Sequence, residues 1–251
     1  MSDPETFEVE GAGGTRLAVH RMGKGRPVLL LHGLFSSAQT NWIRFGTAQR
    51  LVDAGFEAIM LDLRAHGESE APHDPTAYPP DVLVNETLAL VDALGLEDYD
   101  LAGFSLGART ALAAVLAGAR PRRLVLGGMG LEGLGEWQRR TAFFSEAIER
   151  YGSFRHGDPQ YVAQQFMKSQ NVDRVAMKLL LASVQDIDPG ALGGVTMPTL
   201  VVCGAKDDDN GSAPALAASL PDAVHAEIPG THMSSVTVPE FGEAIAGFLT
   251  A

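Results

Sequence analysis

The rhythm of hydrophobic and polar positions changes near residue 27. Before it, residues 6–10 and 15–20 alternate apolar and polar side chains around Gly11-Ala12-Gly13-Gly14. A period of two sends one face inward and the other outward, so these runs predict an antiparallel hairpin. After it come short, continuous apolar runs: Val28-Leu29-Leu30-Leu31, Ala58-Ile59-Met60-Leu61, Leu124-Val125-Leu126 and Leu200-Val201-Val202-Cys203. Tyr99-Asp100-Leu101-Ala102 is a further strand-like stretch, and Val224-His225-Ala226-Glu227-Ile228 reads as the last strand. Runs without alternation suit parallel strands buried on both faces. Helical patterns lie between them, at residues 42–53, 82–94, 105–117 and 238–249. Strands alternating with helices predict an α/β fold with a doubly wound, mostly parallel sheet.

One stretch departs from this order. Residues 131–194 contain no convincing strand but carry helix-like segments at 136–151, 158–170 and 173–183. The division that follows is a core of residues 1–129 and 197–251 with a helical insertion at 130–196. Most of the insertion's aromatic residues are expected to pack it onto the core.

Composition narrows the partners. The 251 residues are 45% hydrophobic and 20% charged, as in ordinary globular chains. The net charge of −12 repels nucleic acid and anionic membrane surfaces. No apolar run approaches the ~20 residues of a membrane span. Met1-Ser2-Asp3-Pro4-Glu5 lacks the basic-then-apolar pattern of a signal peptide. Cys203 is the one cysteine, so no intrachain disulfide forms. A cytoplasmic protein with a small-molecule partner is the expectation, its oligomeric state left open.

Candidate chemistry centres on Gly103-Phe104-Ser105-Leu106-Gly107. A strand-like stretch precedes it and a Pro-free run of helix formers follows. Ser105 thus falls in the strand–turn–helix that exposes a nucleophile. Such a turn brings strand and helix too close for side chains two residues away, which suits Gly103 and Gly107. His32-Gly33-Leu34-Phe35 leaves an earlier strand at the same sheet edge. The backbone N–H of Leu34, with Phe35 as alternative, could join that of Leu106 in holding an oxyanion. A serine nucleophile needs a base and an orienting acid, in chain order Ser, Asp, His. Gly204-Ala205-Lys206-Asp207-Asp208-Asp209 offers three carboxylates, and Pro229-Gly230-Thr231-His232-Met233 brings a histidine to the sheet edge. Glu132 is a more remote acid. His66 reads as a hydrogen-bonded loop residue, His225 as a strand residue, and His20, His73 and His156 lie outside the arrangement. Phe35, Met129, Trp137, Phe143, Phe144 and Met233 are expected to line the pocket. Arg139, Arg140 and Arg155 of the insertion read as solvent-facing charges, with binding of a substrate carboxylate as the alternative. The His and Asp residues show no metal-ligand spacing, and the chemistry requires no cofactor.

These motifs, with Trp42 and Asp62-Leu63-Arg64-Ala65-His66-Gly67-Glu68-Ser69, resemble the α/β-hydrolase superfamily. The resemblance spans the core from about residue 6 to the C-terminus. It implies Ser105 as nucleophile, His232 as base and an aspartate near 207 as acid. The spacing from Gly204 favours Asp207 over Asp208. It also implies that the insertion is a mobile cap. Ala65 stands where such proteins often have glycine. The expected activity is hydrolysis of a small or medium, largely apolar carboxylic ester. Cleavage of a C–C bond in a β-diketone-type substrate is the alternative, and a non-catalytic ligand receptor on the same fold is the reading from another class. A serine at the turn argues against the dehalogenase and epoxide-hydrolase branches, which attack with aspartate.

Overall fold

The computed structural model describes residues 4–135 and 137–251. Eight strands form one sheet: β1 (Glu5–Glu10), β2 (Arg16–Gly23), β3 (Arg26–Leu31), β4 (Phe56–Leu61), β5 (Asp100–Phe104), β6 (Leu124–Gly127), β7 (Thr199–Gly204) and β8 (Ala223–Ile228). Their order is β1-β2-β4-β3-β5-β6-β7-β8. The β1–β2 hairpin and its junction with β4 are antiparallel, and the remaining pairs are parallel.

The continuous apolar runs have the expected cause. Leu29, Leu31, Leu101, Leu124, Leu126 and Val201 point into one core layer. Their neighbours Val28, Leu30, Ala102, Val125, Leu200 and Val202 point into the other. Helices α1 (Thr47–Asp53) and α9 (Pro239–Thr250) cover the second layer. Helices α2 (Val82–Ala93), α3 (Leu106–Leu116) and the short α7 (Ala213–Ser219) cover the first. Ser212 caps α7 by accepting from the Ala215 N–H. Between β6 and β7 lie α4 (Trp137–Glu149), α5 (Tyr161–Ser169) and α6 (Arg174–Ser183). Glu136, the first residue of the helix expected at 136–151, lies outside the described residues.

The helix expected over residues 42–53 is two pieces. A π-helical turn spans Gln39–Ile43, and α1 starts only at Thr47. Gly46 separates them at φ 82°, a left-handed conformation that glycine takes without a side-chain penalty. The break lets Trp42 bury completely and stack on Phe241 of α9 at 5.9 Å.

Arg109 ties the helical segment to the sheet layer. It sits on α3, 3% exposed. It donates to the carbonyls of Gly133 and Leu134, before α4, and of Gln185, after α6. One guanidinium thus holds both stems of the segment, which satisfies carbonyls that burial would otherwise leave costly. Burial pushes the Arg109 pKa down to about 10, so it remains a cation at neutral pH. No helix of the described residues is long and apolar enough to cross a membrane.

The tightest contact in the core is that of α3 on β3 and β5. A Cβ on Gly107 would lie 2.0 Å from the Leu31 carbonyl oxygen, and one on Gly103 would lie 2.2 Å from the Gly107 oxygen. Both obstacles are backbone, which cannot swing away. Gly107→Ala should therefore lower the unfolding free energy by about 3 kcal/mol, measured by urea denaturation. Gly247→Ala on α9, where nothing lies within 4 Å, is the control and should be neutral or stabilising.

Candidate active site

Ser105 occupies the turn between β5 and α3 at φ 52°, ψ −113°. Left-handed backbone costs a non-glycine residue about 1–3 kcal/mol and persists where its surroundings over-determine it. Here the Ser105 N–H donates to the Gly127 carbonyl at 2.8 Å, and the Arg109 N–H closes the first helical bond onto the Ser105 carbonyl at 2.9 Å. The hydroxyl is thereby held at the C-terminal edge of the sheet.

Two later loops converge on it. The loop after β7 is bound to the loop after β8 by the N–H of Ala205 on the Ile228 carbonyl and that of Lys206 on the Gly230 carbonyl. Thr231 and Ser234 form a capping box that starts α8 (His232–Ser235). His232 consequently faces inward, its ring 5.0 Å from that of Phe104. Its Nε2 stands 2.9 Å from Ser105 Oγ, and its Nδ1 lies 3.0 Å from both carboxylate oxygens of Asp207. The Asp207 side chain is only 2% exposed.

The alternative acids fall elsewhere. Asp208 and Asp209 are exposed. Asp208 therefore does not take the place that the sequence left open for it, because adjacent side chains leave the backbone in different directions. Glu132 accepts from the Ser212 N–H at 2.7 Å instead. Among the described residues, no group of three or more His, Cys, Asp or Glu could hold a metal ion.

The loop after β3 is fixed by a set of buried polar groups. Asp62 accepts from the N–H groups of Ala38 and Glu68, at 2.7 and 2.8 Å, and pairs with His20 at 3.1 Å. Burial alone would raise the Asp62 carboxyl, but the His20 hydrogen bond and these N–H groups hold it below its ordinary range. That hydrogen bond also raises the His20 pKa. His32 Nδ1 donates to the Gly33 carbonyl and its Nε2 accepts from the Leu63 N–H. His66 Nδ1 donates to the Arg64 carbonyl and its Nε2 accepts from the Phe35 N–H at 3.0 Å. The accepting nitrogens require neutral rings. Burial pushes His66 down to about 3 and also lowers His32.

That bond corrects one expectation. The Phe35 N–H is occupied by His66, so Phe35 cannot be the alternative oxyanion donor. The N–H groups of Leu34 and Leu106 have no partner among the described residues, and both residues line the cavity at Ser105. Phe35 itself adopts φ 62°. Ala65 does likewise at φ 64°, the conformation that glycine would take more cheaply.

The cavity has a volume of about 630 Å³. Phe35, Met129, Trp137, Phe143, Phe144 and Met233 are all on its wall. Sequence reasoning missed Asn41, Arg44 and Phe166, which also line it and carry no motif. Cys203 is buried, its thiol pushed up to about 12 by desolvation.

A family model for the α/β hydrolase fold matches residues 26–143. An esterase from Exiguobacterium antarcticum superposes with a TM-score of 0.79 over 98% of this chain and 100% of that one, at 20% identity. The chain has the α/β-hydrolase fold. It is similar to a 2-hydroxymuconate semialdehyde hydrolase of Pseudomonas sp., 36% identical over 129 residues, which is 51% of this chain and 45% of that protein. It is also similar to an epoxide hydrolase of Caballeronia sordidicola, 36% identical over 110 residues, or 44% of this chain and 32% of that one. The matched stretch thus spans less than half of each of these two relatives.

Two measurements follow from this geometry. Asp207→Asn should lower kcat by about 10⁴-fold with little loss of thermal stability, while Asp208→Asn should leave kcat nearly unchanged. His66 is neutral in the folded protein and titrates normally when unfolded, so the unfolded state binds more protons below about pH 6.5. Stability should fall there as pH falls, with His66 contributing about 1.4 kcal/mol per pH unit. Denaturant titrations should give a shallower pH slope for His66→Gln; an identical slope would contradict the neutral, buried ring.

Proposed function

We propose that this protein is a serine hydrolase acting on carboxylic esters, with a small or medium, largely apolar group in the cavity. The observation that carries the reading is the contiguous chain Ser105 Oγ, His232 Nε2, His232 Nδ1 and Asp207, at 2.9 and 3.0 Å. Ser105 Oγ attacks the acyl carbon as His232 Nε2 takes its proton. Asp207 holds the imidazole tautomer and stabilises the imidazolium. The N–H groups of Leu34 and Leu106 receive the developing oxyanion, each donor worth about 3 kcal/mol of barrier. His232 then returns the proton to the leaving alcohol. In the second half a water, deprotonated by His232, attacks the acyl-enzyme, and the proton returns to Ser105 as the acid leaves.

The helical segment α4–α6 serves in this reading as a cap. Its Trp137, Phe143 and Phe144 make the apolar wall opposite Ser105. The similarity to a 2-hydroxymuconate semialdehyde hydrolase favours C–C bond hydrolysis as the second reading. The epoxide hydrolase likeness is set aside on Ser105, since that chemistry uses an aspartate at the same turn.

A fluorophosphonate probe should add its mass to the peptide containing Ser105, and Ser105→Ala should abolish labelling. His232→Ala should reduce p-nitrophenyl ester hydrolysis by at least about 10³-fold. Labelling that persists in Ser105→Ala, or a near wild-type rate in His232→Ala, would refute the assignment. Cleavage of a β-diketone in preference to p-nitrophenyl esters would select the second reading.

A further inference from the structure

The charged side chains on the cavity wall differ from those of the chain as a whole. The chain carries 31 Asp and Glu against 19 Lys and Arg. The described cavity wall includes Arg44, Arg109 and Arg140, and its one acidic residue is Asp209. A cleft lined by one sign of charge, with low-dielectric walls, concentrates ligands of the opposite sign. An acidic exterior repels anions, so an arginine at the cavity mouth without an ion pair among the described residues is an arrangement an uncharged ester does not need.

The three arginines are not equivalent. Arg109 is held by three backbone carbonyls and pairs with Asp186 at 3.4 Å. Arg140 donates to the Asp209 carbonyl at 2.6 Å and lies over Phe144. Arg44 makes no ion pair among the described residues. It is exposed yet lines the cavity, which places it at the mouth, and its guanidinium rests over the Phe45 ring at 5.5 Å. One turn earlier, Asn41 also lines the cavity and is 2% exposed. Its Oδ1 accepts from the Gly33 N–H, while its Nδ2 has no partner among the described residues. A planar, permanently charged fork stacked on a ring suits a carboxylate, which accepts two parallel N–H bonds.

We propose that the substrate is an anion: an ester that also bears a carboxylate, docked on Arg44 at the cavity mouth while its ester group reaches Ser105. This rests on the ester-hydrolase reading for its chemistry and adds the charge of the substrate.

The test pairs monomethyl adipate with methyl heptanoate, an uncharged ester of similar length. On the wild type, kcat/KM should favour the adipate. In Arg44→Gln the ratio of anionic to neutral kcat/KM should fall about tenfold, through KM, and Arg44→Lys should restore part of it. The preference should also shrink as salt is raised. Calorimetry on Ser105→Ala, with and without Arg44→Gln, reads binding without turnover. Tighter binding of the adipate that depends on Arg44 sustains the proposal even where neither ester is hydrolysed, an outcome that would overturn the ester chemistry alone. Equal binding of both esters, or an adipate preference that survives Arg44→Gln, overturns the anion site.

Discussion

Everything at the sheet edge depends on the close seating of α3 against β3 and β5. Gly103 and Gly107 remove the two side chains that would hold the helix away, since either Cβ would collide with backbone. With the helix that near, the chain has no room for an ordinary turn, and Ser105 takes φ 52°. The strain is balanced by the bond to Gly127 and by apolar packing on both faces of β5. The consequences are geometric. The hydroxyl projects clear of the sheet, and the unsatisfied N–H of Leu106 comes to lie beside it. A looser helix would relieve the serine and dissolve the site.

The opposite wall is made by a different kind of force. The loop after β3 carries the Leu34 N–H, and no regular element holds it. A buried polar set does: Asp62 with His20 and two N–H groups, then His32 and His66. The His32 and His66 imidazoles each donate with one nitrogen and accept with the other, which only the neutral ring can do. Phe35 adopts φ 62° there, and the preceding N–H has no partner among the described residues. Desolvation thus serves orientation here, since it keeps the rings uncharged where a proton would break the loop.

Arg109 joins the two regions. It lies one helical turn beyond Ser105 and binds carbonyls on both stems of the α4–α6 segment. The aromatic wall of the cavity is therefore referenced to the same helix that aims the serine.

Much of this was written in the linear chain. Buried parallel strands must be apolar on both faces, so the runs at 28–31, 58–61, 124–126 and 200–203 announced themselves. The glycines around Ser105 and the polar turns after β7 and β8 marked the chemistry, because tight turns demand glycine and reacting groups demand polar atoms. Local pattern failed where a long-range contact decided the outcome. Gly46 breaks the expected helix because Trp42 must reach Phe241, nearly two hundred residues away in sequence. Asp207 and Asp208 are chemically identical, and only the bonds between the β7 and β8 loops turn one carboxylate toward His232. Phe35 and Leu34 differ as donors only because His66 claims one N–H. Arg44 has no motif at all; its meaning comes from the cavity that distant segments close around it. The sequence alone determined most of the elements and which reactive side chains are available, since burial and turn geometry act locally on residue type. The tertiary structure decided which identical groups face each other, since direction is a property of packing and not of order along the chain.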